Sequence, residues 1–108
     1  MLAPDAFAYG ETGIDDIVNR SLRRHLGGCG PTQHLLGNYR VQVTGDTATS
    51  VTYARVFHQG KGVRAQLTWE CMGEYRDGWR RTPAGWRMER RDFQVRIALG
   101  DVEVLQPG

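Results

Sequence analysis

The chain has 108 residues, about the length of one domain. Its composition of 40% hydrophobic, 24% charged and 9% aromatic residues is ordinary for a globular protein and excludes a disordered or fibrous one. The net charge is only +2, Cys29 and Cys71 are too few for a disulfide framework or a four-cysteine zinc site, and no apolar run is long enough to span a bilayer. We therefore expect a reduced cytoplasmic protein that binds neither metal nor membrane.

The N-terminal part of the sequence predicts an extended entry segment and then a helix. Residues 5–9 (DAFAY) are typical of a short strand, and apolar residues recur at helical spacing over 14–26. Thr12 with Asp15 three residues later approximates a capping box, and Gly27 ends the helical pattern. The sequence shows no second convincing helix.

Four long antiparallel strands joined by short turns are predicted after the helix. The alternation of apolar and polar residues is clearest in the third strand, and a change of phase within the last strand indicates a bulge. Strands of this length form sheets that twist and curl. The predicted fold class is α+β, with a curved antiparallel sheet packed on one N-terminal helix around a concavity; the predicted strands cover 32–43, 47–58, 63–76 and 86–99.

Two histidines within predicted strands are candidate acid–base groups, because imidazole titrates near neutral pH. His58 ends a strand face of small side chains, which leaves room for a ligand, and His34 lies in the preceding strand. The alternative from the residues alone is that each histidine is merely hydrogen-bonded at a strand end.

Trp69, Cys71 and Tyr75 share the apolar face of the predicted strand 63–76. They are expected core residues, although Trp69 and Tyr75 could equally form the walls of an aromatic ligand pocket. Cys71 has no base close to it in sequence and fits an inert buried thiol.

The segment 76–96 carries seven arginines against three acidic residues. Because the acids are interleaved with the arginines, solvated strand faces are favoured over a nucleic-acid surface, and no nucleic-acid partner is expected. The glycine-rich GGCGP segment (27–31) lacks the lysine and hydroxyl residue of a phosphate-binding loop.

The order and spacing of several motifs resemble the SnoaL-like family of the nuclear transport factor 2-like superfamily. They run as TQHLLGNYRVQVTGDTATSVTYARVFHQGKG and then YRDGWRRTPAGWRMERRDFQV, and the resemblance covers about Ala6 to Leu99. It implies a cone-shaped curved sheet around a pocket, usually in a homodimer packed sheet to sheet. The chain looks most similar to the branch that holds scytalone dehydratase and bile-acid 7α-dehydratase.

This resemblance also implies roles for individual residues. In that branch a histidine in a T-Q-H context and a second in an R-V-P-H-Q context serve in the active site, and they match His34 and His58. The implied chemistry is cofactor-free loss of water next to a carbonyl, or a related isomerisation or cyclisation, on a small cyclic compound. The resemblance implies Asn38 as a substrate-binding group, and Trp69, Cys71 and Tyr75 on the apolar strand face are the other predicted substrate-binding residues.

The chain departs from the family pattern at its start. Family members normally begin with a long helix that closes the cone and supplies a tyrosine and an aspartate to the site, and no residue here matches those two. The resemblance thus implies one SnoaL-like domain over 1–108, short at its N terminus, with a cone open on one side. Two functions stay open: a hydro-lyase or isomerase, or a non-catalytic ligand-binding or dimerisation module of the same fold.

Overall fold

The computed structural model describes residues 2–105, apart from the side chain of His25. Six strands, a helical segment and two short 3₁₀ turns make up this part of the chain. In order they are β1 (Leu2–Ala8), β2 (Glu11–Thr12), α1 (Ile14–Asp16), a π-helical stretch (Ile17–Leu22), α2 (Arg23–Leu26), β3 (Cys29–Thr44), β4 (Thr47–Gly60), a 3₁₀ turn (Gly62–Arg64), β5 (Thr68–Thr82), β6 (Gly85–Gly100) and a second 3₁₀ turn (Val102–Leu105).

The six strands form one mixed sheet in the order β2-β1-β6-β5-β4-β3. All neighbouring strands are antiparallel except β1 and β6, which run parallel. β2 and β3 are the two edges, so the sheet does not close into a barrel. The four long strands β3–β6 and the α+β fold class agree with the sequence prediction.

One face of the sheet, called here the inner face, carries the buried side chains. In β4 every second residue is buried while most of those between are exposed, the pattern of a strand with one covered face. The inward side chains are mostly small, as the sequence predicts, and they end at the histidine: Ala48, Ser50, Thr52, Ala54, Val56 and His58.

Two apolar clusters hold the described chain together. The first joins β1 to the helical segment through Ala3, Ala6, Ala8 and Ile17, all fully buried. Small alanine side chains let the helical segment approach the strand closely. The second lies on the inner face of β4 and β5, where Ala54, Val56, Cys71 and Tyr75 pack together with Trp69 and Phe93 against them.

The sheet contains two short strands besides the four long ones: β1, which overlaps the predicted extended segment 5–9, and β2, which the sequence analysis did not predict. β1 pairs with β6, more than eighty positions further along the chain, and period-two patterning within a segment cannot reveal so distant a partner. The predicted bulge is present as a shift in register between β5 and β6 at Gly78 and Trp79.

The prediction of a strand from residue 63 is wrong at its start, since β5 begins at Thr68. Gly62 has a φ of 59°, in the left-handed region that favours glycine, and begins a 3₁₀ turn. The backbone N–H of Leu67 then donates to the carbonyl oxygen of Arg64, and that of Gly60 donates to Leu67. These turn hydrogen bonds displace the first residues of the alternating pattern from the sheet.

The helix also differs from its prediction at its start and in its middle. Thr12 lies in β2 opposite Phe7 and does not cap the helix, whose N-cap is Gly13 without any side-chain hydrogen bond. The stretch Ile17–Leu22 is π-helical, so the segment is not one regular α-helix. No helix within residues 2–105 has the length and apolar character needed to cross a membrane.

Candidate functional site

A cavity of about 210 Å³ lies between the inner face of the sheet and the helical segment. Five of the six site residues predicted from the sequence form its floor: His34, His58, Trp69, Cys71 and Tyr75. The roof comes from the helical segment and the last 3₁₀ turn. The remaining lining residues are Tyr9, Ser21, Leu22, Leu26, Val56, Phe93 and Leu105.

His58 is the buried polar group of this cavity, with only 3% of its surface exposed. Its Nδ1 lies 2.9 Å from the hydroxyl oxygen of Thr32, the residue directly opposite it on β3. Its ring stacks on that of Trp69, with centroids 5.8 Å apart and planes inclined by 26°. Burial lowers the pKa of His58, and the nearby His34 lowers it further. A neutral imidazole that can accept a proton is therefore favoured at neutral pH.

His34 lies beside His58 at the edge of the cavity. The two imidazole rings are 5.9 Å apart between centroids and nearly perpendicular, at 85°. His34 is exposed, whereas His58 is buried. The structure thus brings together the two histidines predicted as an acid–base pair and gives them different environments.

The remaining floor of the cavity is aromatic and includes a buried thiol. The rings of Tyr75 and Phe93 lie 4.7 Å apart between centroids, a distance at which aromatic pairs attract each other. Burial raises the pKa of Tyr75 far above its ordinary value, so its hydroxyl stays protonated. Burial also raises the pKa of Cys71, and the carboxylate of Glu70 adds to that increase. Cys71 is therefore a neutral wall residue, as the sequence suggests.

Asn38 does not line this cavity, although its spacing from His34 predicts a shared face. The register of β3 against β4 shifts between Gly37 and Arg40, and Asn38 lies within that irregularity with a φ of 55°. A residue with left-handed backbone geometry breaks the alternation of faces, so the pattern does not extend through it. Its role in substrate binding stays a prediction.

Three further groups near the cavity were not singled out by the sequence patterns. Tyr9, with a φ of 54°, lines the cavity from the end of β1. Thr32 is the partner of His58. Asp77 and Arg91 form a paired ion contact of 2.8 and 2.9 Å on the inner face, and the Arg91 guanidinium lies 3.9 Å above the Tyr75 ring. The strand register that brings these residues together is not visible in any single segment.

A second hollow of about 350 Å³ follows on the same face, toward the other end of the strands. Asp77 and Arg91 line it together with Trp79, whose indole N–H donates to the Ser50 hydroxyl at 2.9 Å. None of the residues that line the first cavity is acidic. The histidines of this cavity therefore have no carboxylate partner among its lining residues.

Comparison with known sequences finds a family and an uncharacterized relative. The sequence model of the SnoaL-like domain matches residues 4–92. Rv2910c of Mycobacterium tuberculosis, described as an uncharacterized protein, is 38% identical over 98 residues, which cover 84% of this chain. The chain spans 65% of that relative's length, slightly under two-thirds.

Solved structures share the fold at low sequence identity. The protein Kfla4162 of Kribbella flavida has a TM-score of 0.81 at 17% identity, over 97% of this chain and 78% of its own. A protein of Novosphingobium aromaticivorans described provisionally as a scytalone dehydratase has a TM-score of 0.75 at 19% identity, over 91% of this chain and 68% of its own. A nuclear transport factor 2-like superfamily protein of Salmonella enterica has a TM-score of 0.75 at 15% identity, over 90% of this chain and 72% of its own. At these identities the likeness establishes the nuclear transport factor 2-like fold alone.

Proposed function

We propose that this chain, which belongs to the SnoaL-like domain family, binds a small cyclic carbonyl compound. It is proposed to act on that compound by cofactor-free acid–base chemistry. The observation that carries the proposal is the buried, neutral His58 in a cavity shared with His34. The cavity is smaller than the roughly 300–1,000 Å³ of pockets for drug-sized ligands. It therefore suits a substrate of one or two rings.

The proposed reaction is loss of water from a β-hydroxy carbonyl compound. A base removes the proton next to the carbonyl, the electron pair of that C–H bond forms the new double bond, and the hydroxyl leaves as water after it takes up a proton. His58 is the proposed base, since its neutral form is favoured. His34, 5.9 Å away between ring centroids, is the proposed donor to the leaving hydroxyl. Trp69, Cys71 and Tyr75 are proposed to enclose the ring.

A direct test uses 3-hydroxycyclohexanone and follows its dehydration to cyclohexenone by ultraviolet absorbance. We expect turnover by the unaltered protein, and a loss of about 10²- to 10⁴-fold in His58→Gln and in His34→Gln, the usual contribution of a general acid or base. Gln42→Ala is the control, because Gln42 is exposed on the same edge strand as His34 and lies outside the cavity. Full activity in both histidine variants would exclude this mechanism.

The second candidate function is a non-catalytic binding module of the same fold. It is favoured by one observation, namely that no acidic side chain among residues 2–105 lines the cavity to stabilise a protonated histidine. A rise in melting temperature with cyclohexenone, without any conversion of 3-hydroxycyclohexanone by the unaltered protein, would support binding over catalysis.

We further propose that the protein is a homodimer joined through the outer face of the sheet. Large apolar side chains on that face are 42–55% exposed: Leu35, Tyr53, Phe57, Ile97 and Leu99. Between them Arg55 pairs with Glu70 at 3.0 Å, so the face combines apolar area with neutralised charge. Exposed apolar patches of this kind are typical of interaction sites.

The cytoplasm is the proposed location, and it agrees with two thiols that are not joined to each other.

The dimer is tested by light scattering coupled to size-exclusion chromatography. We expect twice the chain mass of 12.2 kDa for the unaltered protein and a monomer for Phe57→Asp, because a charge within the apolar face opposes burial. Val63→Asp is the matched control, since Val63 is 99% exposed in the turn before β5. A monomer in the unaltered protein at micromolar concentration would contradict the proposal.

A further inference from the structure

Within the part of the chain that the structure describes, the only side-chain hydrogen bond of the two cavity histidines joins His58 to Thr32. They are directly opposite each other on β3 and β4. Side chains at opposed positions of an antiparallel pair have Cβ atoms about 4.5–5.5 Å apart. A threonine hydroxyl therefore reaches the near nitrogen of a histidine there without stretching either strand. The 2.9 Å separation of Oγ1 and Nδ1 fits a direct hydrogen bond.

The Gly30-Pro31 pair places Thr32 at this position. The register of β3 against β4 is irregular between Cys29 and Thr32, and Gly30 lies against the backbone of β4 there. A Cβ on Gly30 would come within 3.2 Å of the Gln59 carbonyl oxygen, so glycine suits this close approach. Pro31 has a fixed φ and no N–H to pair. The carbonyl oxygen of Gly30 is thereby held 3.4 Å from the Thr32 hydroxyl oxygen.

The hydrogen-bonding capacity of these groups favours one direction for the two contacts. The Thr32 hydroxyl has a single hydrogen, the Gly30 carbonyl oxygen at 3.4 Å can only accept one, and Nδ1 of His58 at 2.9 Å can either donate or accept. Both contacts are hydrogen bonds at the same time only when the hydroxyl donates to Gly30 and Nδ1 carries a hydrogen that it donates to the Thr32 oxygen. A neutral imidazole has one N–H in total. If that hydrogen is on Nδ1, then Nε2 has none and presents a lone pair.

We propose that Thr32 is a positioning residue that holds neutral His58 in its Nδ1–H tautomer, so that Nε2 is the atom that accepts the substrate proton. The role in catalysis rests on the function proposed above. In the step itself the substrate C–H bond breaks, its electron pair stays with the substrate and the proton bonds to Nε2. The Nδ1–H of the resulting imidazolium continues to donate to Thr32. A neutral hydroxyl thus takes the orienting position that a carboxylate often has beside a catalytic histidine.

The tautomer can be measured without any substrate. Long-range ¹H–¹⁵N correlation spectra of protein labelled with ¹⁵N distinguish a protonated from an unprotonated ring nitrogen, and the spectrum of His58→Gln identifies the signals of His58. At a pH above its titration we expect the Nδ1–H form of His58 in the unaltered protein and in Thr32→Ser, which keeps the hydroxyl. In Thr32→Val, which keeps the shape, we expect the ratio of Nδ1–H to Nε2–H to fall about five- to tenfold, as loss of one ordinary hydrogen bond implies.

Each outcome separates this inference from the proposed reaction. The Nε2–H form in the unaltered protein, or an unchanged ratio in Thr32→Val with its fold intact by its backbone amide spectrum, would overturn the role of Thr32. The expected tautomers together with no dehydration of 3-hydroxycyclohexanone would leave the positioning of His58 standing and overturn only the reaction. If the reaction occurs, Thr32→Val should lower kcat with little change in KM, and Thr32→Ser should restore it.

Discussion

Replacing Asp77 by asparagine is expected to lower the free energy of unfolding by about 3 kcal/mol, because it leaves a partly buried Arg91 charge without its partner. The side chain of Asp77 is 2% exposed and that of Arg91 is 22% exposed. Burial lowers the pKa of Arg91, but its hydrogen bonds and charge attraction to Asp77, together with its interaction with Tyr9, raise the pKa by more in sum, so the guanidinium stays charged. Urea denaturation of both proteins at pH 7 measures the difference.

Two further variants serve as controls for this expectation. Asp77→Asn combined with Arg91→Gln removes both charges and keeps an amide pair, so most of the lost stability should return. Asp92→Asn breaks the exposed pair of Asp92 with Arg90, whose side chains are 41% and 56% exposed, and should cost less than about 1 kcal/mol. Equal losses in Asp77→Asn and Asp92→Asn would show that the inner-face pair has no special weight.

Replacing Gly73 by alanine is expected to cost about 2–3 kcal/mol, since there is no room for a methyl group between β5 and β6. A Cβ at this position would collide with the carbonyl oxygen of Gln94 and lie 3.1 Å from the Cα of Val95. These are backbone atoms, so relief requires the two strands to separate. The register shift between Met72 and Gly73 shows that the strands already deviate from regular pairing there.

Gly37→Ala is the matched control for the Gly73 variant. Gly37 also lies in a long strand of the sheet, but no heavy atom lies within 4 Å of a Cβ built on it. Its substitution should change the free energy of unfolding by no more than about 0.5 kcal/mol. Both variants are compared by urea denaturation, and a similar loss in the two would mean that alanine itself, rather than the approach of β6, is responsible.

The sequence predicts the floor of the candidate site better than its surroundings. Trp69, Cys71 and Tyr75 are two or more positions apart in an alternating strand, so their common face follows from local geometry. The position of His58 on the inner face follows in the same way from the alternation along β4. Residues brought in by strand pairing cannot be read off in this manner, because Thr32 meets His58 only through the register of β3 against β4.

Local backbone geometry explains where the sequence patterns mislead. Alternation predicts that Asn38 shares a face with His34, but the irregularity after Gly37 ends that pattern. Alternation also predicts that the third long strand begins at Val63, but that residue lies in the 3₁₀ turn that begins at Gly62. In both cases one residue with positive φ, Asn38 or Gly62, overrides several residues with suitable polarity.

The two separate apolar clusters have a consequence for how a ligand reaches the cavity. The floor belongs to the cluster on β4 and β5, whereas much of the roof belongs to the helical segment, which is anchored on β1 through Ile17 and three alanines. Parts of a protein with separate packing open with separate free energies. The roof can therefore lift as a unit while the sheet keeps the two histidines in register. Entry of a ligand is in this way compatible with an intact acid–base pair.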